Sequence, residues 1–294
     1  MEVLRILNGI IKHPFNKGAR LNAVKDFCKW QFNNMLNPYP VIYTLTGKSK
    51  IIAFKGLTGV TGNIYCGLLE FADMGFLLHF LRDKDLFVDV GANVGVYTIL
   101  SSAEIGAETI SIEPIPQTFH LLAQNVLINN LGEKVKLYNI GLGRETGRLK
   151  FSKNLDTVNH VIADGESAGE VIEVEVKTLD SLFSNRIPDL IKIDVEGFET
   201  EVLAGANNIL ANPQLKAIII ELNGSGYRYG FDENEIHKKL VDLKFKPFTY
   251  DPFTRSLLGL EKFTNHNTIY IRDYDFVRER VIAAPKVKVK NREL

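Results

Sequence analysis

Apolar runs and segments of helical spacing alternate along the middle of the chain. Residues 86–90 are apolar at four of five positions and are followed at once by Gly91, which is typical of a buried strand. Helical spacing takes over at 96–103, and a second strand-like run occupies 109–113. Pro116 then marks the first residue of another helix. Because strands and helices alternate, the pattern predicts a parallel sheet with right-handed crossovers.

The same alternation continues toward the C-terminal end. Further strands are predicted at 135–142, 190–195, 215–222, 246–250 and 268–272, with helices at 68–82, 116–130, 178–182, 196–205 and 232–243. The last two strands are joined by about seventeen residues without a helical pattern, so we expect them to be antiparallel. The prediction is an α/β fold in three layers, with a mostly parallel sheet that ends in an antiparallel strand.

Two short strands, 147–151 and 171–176, interrupt this alternation. The residues between them, 152–170, are polar and rich in Gly, Ser, Asn and Asp. A loop of this length in a compact domain is often functional, so it is a candidate to close over a substrate.

Both ends of the chain differ from the middle. Residues 1–36 have the spacing of two amphipathic helices, and residues 41–54 have that of a strand pair around a glycine turn. We expect residues 286–294 to be disordered. The predicted organisation is an N-terminal helical and hairpin appendage at 1–64, a main domain at 65–275 and a basic C-terminal tail at 276–294.

Charge is distributed unevenly although it sums to zero. The 294 residues contain 35 Lys+Arg and 35 Asp+Glu, a balance that argues against an extended nucleic-acid surface. Residues 1–50 hold eight Lys/Arg against two Asp/Glu, a net charge of +6, and residues 278–294 hold six against two, a net charge of +4. The basic N-terminal helices have two interpretations. They pack as a cap on the main domain or on a second copy of the chain, or they attach to an anionic membrane surface.

Cysteine content and hydropathy restrict the remaining classes of protein. Cys28 and Cys66 are too few for a disulfide framework or a cysteine-rich zinc site. No apolar run reaches the roughly 18 residues of a membrane span. Residues 1–15 lack the long apolar core and the small-residue cleavage site of a signal peptide. We therefore expect a cytoplasmic protein.

The segment from Asp89 to Gly95, DVGANVG, lies in the turn between the first buried strand and the helix after it. Glycine permits a sharp turn and a close approach of a ligand, and the helix N-terminus offers free N–H groups. Glu113 ends the next strand, where a carboxylate can accept hydrogen bonds from both hydroxyls of a ribose. The pattern indicates a nucleoside cofactor, although a tight turn that binds nothing would use the same glycines.

The spacing of these glycines fits neither a dinucleotide fold, Gly-x-Gly-x-x-Gly, nor a P-loop. A diphosphate also favours a helix N-terminus without competing negative charge, whereas Asp89 and Asp194 bring carboxylates to this edge of the sheet. Acidic groups instead suit a cation, such as the ammonium and sulfonium groups of S-adenosylmethionine.

Several segments, taken in order, resemble one known family. LFVDVGANVG, IEP, TLDSL and LIKIDVEGFETEVLAGA are similar to the FkbM-type methyltransferases, and the resemblance covers residues 65–223. It implies a class I methyltransferase fold, which is a Rossmann-like three-layer sandwich, with S-adenosylmethionine as cofactor. It also implies O-methylation, often of a sugar hydroxyl or a small natural product.

The resemblance assigns roles to single residues. It implies that Gly91, Ala92, Asn93 and Gly95 cradle the methionine part of the cofactor, that Glu113 holds the ribose, and that Asp194 lies beside the amino and methyl groups. Asp89, Tyr97 and Pro114 complete the predicted cofactor-binding set.

Methyl transfer to a hydroxyl depends on positioning and benefits from a base. The candidate bases are Asp194 and Glu196, which follow a strand end, and His160, which lies in the long polar loop. Each also has a simpler interpretation: Asp194 caps the next helix, Glu196 favours its dipole, and His160 is an ordinary surface residue. Glu70, in the helix before the glycine turn, either points into the cleft or faces solvent.

Asp194, Glu221 and Asn223 are also able to supply oxygen ligands to a magnesium ion. Strand-end carboxylates more often bind a cofactor without a metal, so no metal is predicted.

The expected partner is a small-molecule or glycan acceptor, and a homo-oligomer is an open alternative. Two other functions also stay open: a catalytically silent scaffold and a nucleotide-dependent oxidoreductase. The glycine spacing and the acidic cleft disfavour the oxidoreductase.

Overall fold

The computed structural model describes residues 2–153, 159–163, 166, 169–183 and 186–294. In these residues the α-helices are α1 (Glu2–Lys12), α2 (Arg20–Leu36), α3 (Thr58–Cys66), α4 (Phe71–Phe80), α5 (Val96–Ile99), α6 (Pro116–Ile128), α7 (Glu199–Ala204), α8 (Asn207–Ala211), α9 (Glu233–Asp242) and α10 (Tyr274–Ile282). The strands are β1 (Val41–Thr44), β2 (Lys50–Ala53), β3 (Leu86–Val90), β4 (Glu108–Ile112), β5 (Val135–Tyr138), β6 (Gly141–Leu142), β7 (Gly147–Lys153), β8 (Glu170–Lys177), β9 (Leu190–Ile193), β10 (Ala217–Glu221), β11 (Lys246–Asp251), β12 (Ser256–Gly259), β13 (Asn267–Ile271), β14 (Lys288–Val289) and β15 (Arg292–Glu293). A π-helical turn, Leu100–Ile105, extends α5, and a 3₁₀ turn, Ser225–Tyr229, follows β10.

A central sheet of eight strands, in the order β12-β11-β13-β10-β9-β3-β4-β5, organises the fold. The five strands from β10 to β5 are parallel, and β13 runs antiparallel to β10. The predicted α/β fold, a mostly parallel sheet with a late antiparallel strand, is therefore confirmed. Strand β12 lies inside the segment that was expected to be a plain loop, and it extends the sheet beyond β11.

Alternate residues of the central strands pack against helices on the two faces of the sheet. Phe87 and Ile219 belong to the apolar core that includes α1 to α4 and α10. Val88 and Ile218 belong to the core that includes α7 to α9. A sheet covered on both faces needs strands that are apolar on both sides, which explains the unbroken apolar runs in the sequence. The result is the predicted three-layer, Rossmann-like arrangement.

Four strands of the sheet end at the same level. Val90 of β3 pairs with Ile112 of β4 and with Ile193 of β9, and Ile193 pairs with Ile220 of β10. The residues that follow each of these positions therefore form one row along the carboxyl edge: Gly91, Glu113, Asp194 and Glu221.

A second, three-stranded sheet in the order β6-β8-β7 stands beside this edge. The predicted strand at 135–142 is divided between the two sheets, because β5 joins the central sheet and β6 pairs with β8. In the long polar loop between β7 and β8, Val161 forms a β-bridge with Phe151. Residues 154–158, 164–165 and 167–168 of that loop lie outside the described residues.

The N-terminal segment forms the two predicted helices and the predicted strand pair. Helix α3 was not predicted, because its sequence, TGVTGNIYC, is rich in residues that favour helices weakly. Tertiary packing stabilises it: the rings of Phe27 in α2 and Tyr65 in α3 meet edge to face at 5.2 Å. Among the described residues, every helix is too short or too polar to cross a bilayer.

The prediction of a disordered C-terminal tail is wrong. Strands β14 and β15 pair as a hairpin, and Val287, Val289 and Leu294 are buried. Arg292 donates hydrogen bonds to the backbone carbonyls of Phe15 and Lys17, so the hairpin is attached to the N-terminal segment. The alternating lysines and valines of 286–290 are themselves a strand pattern, with the valines facing inward.

Candidate functional site

A cavity of about 220 Å³ opens at the carboxyl edge of the central sheet. The glycine turn after β3 forms one wall, the segment after β9 forms another, and Phe151 and Val161 approach from the second sheet. Of the nine predicted cofactor-binding residues, the cavity brings together eight: Asp89, Gly91, Ala92, Asn93, Tyr97, Glu113, Pro114 and Asp194. Gly95 lies behind the cavity wall, where an added Cβ would meet Leu122 at 2.4 Å.

The glycine turn has a backbone that few residues other than glycine adopt. Gly91, Asn93 and Gly95 have φ angles of +73°, +51° and +91°, and asparagine is one of the few other residues that tolerates this region. A Cβ on Gly91 would lie 1.8 Å from the carbonyl oxygen of Asp194. The first glycine is therefore required by the packing of two strand ends, in addition to any ligand.

Glu113 connects the end of β4 to the glycine turn. Its Oε2 accepts the Asn93 N–H at 3.0 Å, and its Oε1 accepts the Ile115 N–H at 2.9 Å. Burial raises the pKa of Glu113 to about 7, although these two backbone hydrogen bonds lower it. Each carboxylate oxygen keeps a second lone pair for a ligand hydroxyl. Glu113 thus shapes the turn as well as facing the cavity, a role that the sequence did not reveal.

Asp89 lines the cavity and has one carboxylate oxygen without a hydrogen bond from any described residue. The side chain is buried, and its Oδ2 accepts a hydrogen bond of 2.7 Å from the Thr98 hydroxyl. Its Oδ1 is buried and accepts no hydrogen bond from the described part of the chain. An unpaired buried acceptor is costly, so a ligand with a hydrogen-bond donor at this position would stabilise the site.

Lys192 also lines the cavity, and it is not among the residues predicted from the sequence. Its ammonium donates to Oδ2 of Asp194 over 2.8 Å and lies 4.8 Å from the centre of the Tyr97 ring. Burial lowers the pKa of this lysine. The carboxylates of Asp194, Glu70 and Asp89 raise the pKa by more than burial lowers it, so the pKa lies above its ordinary value and the side chain stays charged. The signal was present, because this lysine interrupts the otherwise apolar strand LIKI.

Three carboxylates meet where β9 and β10 end. Asp194, Glu196 and Glu221 each offer an oxygen within 4.8 Å of the other two. Burial raises the pKa of Glu196 to about 6, and Asp194 adds to this effect. Burial, Asp194 and Glu196 also raise the pKa of Glu221. Like charges at this distance favour the retention of a proton by one member of the group near neutral pH.

Comparison with known proteins identifies the family of the chain. The family model for the methyltransferase FkbM domain matches residues 89–247 of the chain, which is more than half of its length. The chain belongs to the FkbM methyltransferase family.

Individual relatives are distant. Methyltransferase 1 of Beauveria bassiana is 30% identical over 152 residues, which is 43% of this chain and 60% of that protein. Hexuronic acid methyltransferase AglP of Haloferax volcanii is 29% identical over 175 residues, which is 57% of this chain and 66% of that protein. The chain thus spans less than two thirds of the length of these relatives. A crystal structure of methyltransferase FkbM from Methylobacillus flagellatus has a TM-score of 0.44 and 16% identity, covering 72% of this chain and 52% of that one.

Residues outside the FkbM segment complete the cavity. Glu70 lines it, so of the two alternatives for this residue the structure supports the cleft over solvent. Its Oε1 accepts a hydrogen bond of 2.5 Å from the Asn267 side chain. Burial raises the pKa of Asp73, one turn along α4, to about 7, and Glu70 adds to this effect. Burial also raises the pKa of the Tyr97 hydroxyl, and Glu70 and Asp73 raise it further.

His160 lies beside the cavity rather than in its wall. Its neighbours Asn159 and Val161 line the cavity, whereas its Nε2 forms a hydrogen bond of 2.8 Å with Glu166. The Tyr229 hydroxyl donates to the Val161 carbonyl over 2.6 Å, which fixes this part of the loop above the site. The role of His160 as a base stays a prediction.

The cluster of Asp194, Glu196 and Glu221 includes two of the three oxygen ligands considered for magnesium, Asp194 and Glu221, and adds Glu196. The ammonium of Lys192 already uses one oxygen of Asp194. A divalent ion at this position would have to compete with that cation, so the donor set favours a site without a metal.

Proposed function

We propose that this FkbM-family protein transfers a methyl group from S-adenosylmethionine to a hydroxyl of a sugar, a glycan or a small hydroxylated metabolite. The observation that carries the proposal is the acidic lining of the cavity at the glycine turn. Among the residues that the structure describes, five carboxyl side chains line the cavity, Glu70, Asp89, Glu113, Asp194 and Glu196, and Lys192 adds one ammonium group. A cationic nucleoside is attracted to such a cavity, and a dinucleotide diphosphate is repelled.

The residues present fit this cofactor. Glu113 would accept hydrogen bonds from the ribose hydroxyls, because both of its oxygens keep a free lone pair. The unsatisfied Oδ1 of Asp89 and the carboxylate of Asp194 would accept hydrogen bonds from the ammonium group. When bound, S-adenosylmethionine supplies an electrophilic methyl carbon attached to a sulfonium.

The carboxylates of Asp194, Glu196 and Glu221 would accept the proton that the acceptor hydroxyl loses. Asp194 is held in place by Lys192, and Glu221 and Glu196 each offer an oxygen within 4.8 Å of an oxygen of Asp194. A hydroxyl that donates a hydrogen bond to this group would be oriented, and its proton would pass to a carboxylate oxygen as the new bond forms. Burial, Asp194 and Glu196 raise the pKa of Glu221, so its ionised form would be a stronger base than an ordinary carboxylate.

Two features support a hydroxyl-rich acceptor. Carboxylates clustered at the mouth of a cavity accept several hydroxyl hydrogen bonds, as a sugar requires. One of the relatives is named a hexuronic acid methyltransferase. Direct proton acceptance by Asp194, Glu196 or His160 remains part of the proposal as an alternative to Glu221.

Calorimetry and a transfer assay test the proposal in sequence. We expect heat of binding with S-adenosylmethionine and none with NAD. We then expect labelled methyl groups to pass to hydroxylated acceptors, beginning with uronic acids and their oligosaccharides. Tight NAD binding without S-adenosylmethionine heat would overturn the cofactor assignment. Cofactor binding without transfer to any hydroxylated acceptor would favour the catalytically silent scaffold.

A further inference from the structure

Helix α2 carries apolar side chains on two opposite sides. Ala23, Phe27 and Trp30 are buried against the rest of the protein. On the other side Leu21, Phe32 and Leu36 are 86%, 62% and 69% exposed. Their spacing, with Lys25 and Cys28 between them, places them in one row along the helix. A row of large apolar side chains facing away from the core contributes nothing to folding, so it calls for a partner.

Neighbouring residues enlarge this row into a surface. Large exposed apolar side chains follow α2 at its C-terminal end and on β1. We define the N-terminal apolar surface as Leu21, Phe32, Met35, Leu36, Tyr39 and Ile42, all of which are more than half exposed. The exposed apolar residues Leu127 and Leu258 lie on other elements, α6 and β12.

Lysines border the N-terminal apolar surface. An open groove of about 730 Å³ runs between α2, the β1–β2 hairpin and the C-terminal hairpin, and Lys25, Lys29 and Lys288 line it together with Ile42 of the apolar surface. Asp26 in the same groove is already paired with Lys290 at 2.5 Å. Lys25, Lys29 and Lys288 form no ion pair with another described residue, so their charges are available to an anionic partner.

We propose that the N-terminal apolar surface and these three lysines bind an anionic lipid bilayer, with α2 lying in the plane of the interface. An exposed apolar row flanked by lysines is the pattern of interfacial helices, because the apolar side chains enter the acyl boundary while the ammonium groups meet anionic headgroups. A second copy of the chain fits less well. A two-fold contact through this surface would bury the ammonium of Lys25, which lies within the apolar row, against apolar side chains, whereas at a bilayer surface the long lysine side chain reaches the headgroups.

The N-terminal apolar surface is close to the cavity in the fold. Phe27 of α2 packs on Tyr65 of α3, and Gly59 of α3 lines the cavity. Helix α3 therefore lies between α2, which bears this surface, and the cavity. The proposal stands apart from the proposed function, because the surface would bind lipid whatever the methyl acceptor is.

Co-sedimentation of the full chain with vesicles tests the proposal. We expect pelleting with an equal mixture of phosphatidylglycerol and phosphatidylcholine, and little with phosphatidylcholine alone. F32S/L36S should lower the partition coefficient at least about tenfold, because two apolar side chains no longer enter the bilayer. K25Q/K29Q should lower it roughly fivefold for each lysine removed, and only with anionic vesicles. All four side chains are solvent-exposed, so far-ultraviolet circular dichroism should show an unchanged fold.

L127S/L258S is the matched control, since it removes two exposed apolar side chains far from α2 in the sequence, and it should pellet like the wild type. Equal pelleting of F32S/L36S and the wild type would overturn the proposal, as would a wild-type chain that stays in the supernatant with anionic vesicles. A wild-type dimer by light scattering that F32S/L36S converts to a monomer, with no vesicle binding, would assign the surface to a second copy and also overturn it.

Discussion

The ammonium of Lys192 donates a hydrogen bond to the carboxylate of Asp194, two residues further along the chain, over 2.8 Å. Both groups face the cavity. The lysine therefore orients the acid that the family resemblance places beside the transferred methyl group. It also offsets part of the negative charge that Glu70 and Asp89 add to the same cavity.

Lys192→Met should destabilise the protein by about 3–5 kcal/mol, because it leaves buried carboxylates without their cation. Urea unfolding followed by circular dichroism measures the change. Lys216→Met is the control, since Lys216 pairs with Asp273 at 3.1 Å near the surface and should cost no more than about 1 kcal/mol. Equal losses for the two variants would contradict the central role of Lys192.

Glu113→Ala should weaken S-adenosylmethionine binding roughly tenfold or more, because it removes charge-assisted hydrogen bonds worth about 1.5–3 kcal/mol. Calorimetry measures the affinity. Glu108→Ala, on the same strand but at its opposite end beside the exposed Arg186, should bind like the wild type. Unchanged affinity in the Glu113 variant would remove this residue from the cofactor site.

Glu221→Gln should lower turnover about 100-fold or more while leaving cofactor affinity nearly unchanged, because it removes a proton acceptor and keeps the size of the side chain. In the wild type, burial and Asp194 raise the pKa of Glu221, so turnover should increase with pH across the neutral range as this carboxyl loses its proton. The variant should lack that increase. Steady-state kinetics over a pH series is the measurement.

His160→Gln provides the comparison for Glu221. Because His160 pairs with Glu166 beside the cavity, we expect its loss to reduce turnover less than the loss of Glu221. A larger loss in the histidine variant, with a normal pH response in Glu221→Gln, would transfer the role of base to His160.

Glu199→Gln should stabilise the protein increasingly as pH rises. One oxygen of Glu199 accepts both the Val195 and the Gly197 N–H, and a glutamine oxygen can replace it. Burial raises the pKa of Glu199 from its ordinary 4.5 to about 7, so the native state binds this proton more tightly than the unfolded chain. The wild type therefore loses stability as pH rises through this window.

The free energy of unfolding of Glu199→Gln, relative to the wild type, should grow by up to about 3 kcal/mol between pH 4.5 and 8. Urea titrations at a series of pH values give this difference. Glu201→Gln, on the same helix beside the exposed Arg144, is the control. A difference that does not change with pH would show that Glu199 is not the buried acid described above.

Gly91→Ala should prevent native packing of the strand ends, at a cost of several kcal/mol, because its Cβ would meet the Asp194 carbonyl oxygen at 1.8 Å. Gly132→Ala has open space around it and should change stability by less than about 1 kcal/mol. Thermal unfolding compares the two. A folded Gly91→Ala variant with the same thermal unfolding midpoint as the wild type would contradict the close contact between residue 91 and the Asp194 carbonyl oxygen.

The parts of the fold that depend on local pattern could be predicted from the sequence. The apolar runs at β3, β4, β9 and β10 are unambiguous because both faces of the sheet are covered, and the glycine turn follows directly from its residues. Helix α3 and the C-terminal hairpin were missed because contacts distant in the sequence stabilise them. Phe27 packs on the first, and Phe15 accepts a hydrogen bond from the second.

The site could be predicted only in part for a related reason. Residues that follow a strand are visible in the sequence, but their neighbours depend on strand order. The pairing of β10 with β9 brings Glu221 to Asp194, and no local pattern specifies that pairing. Lys192 was overlooked because a single lysine in an apolar strand has many interpretations until the carboxylates around it are known.

At Gly197 the loop after β9, which lines the cavity, packs closely against the turn after β10. A Cβ at this position would lie 2.6 Å from the backbone of Ser225, so the loop that bears Glu196 is pressed against the turn that bears Tyr227 and Arg228. Libraries aimed at new acceptors should therefore leave residue 197 fixed and vary the exposed positions 227 and 228, where a new side chain has room. Diversity introduced at 197 would yield mostly misfolded clones.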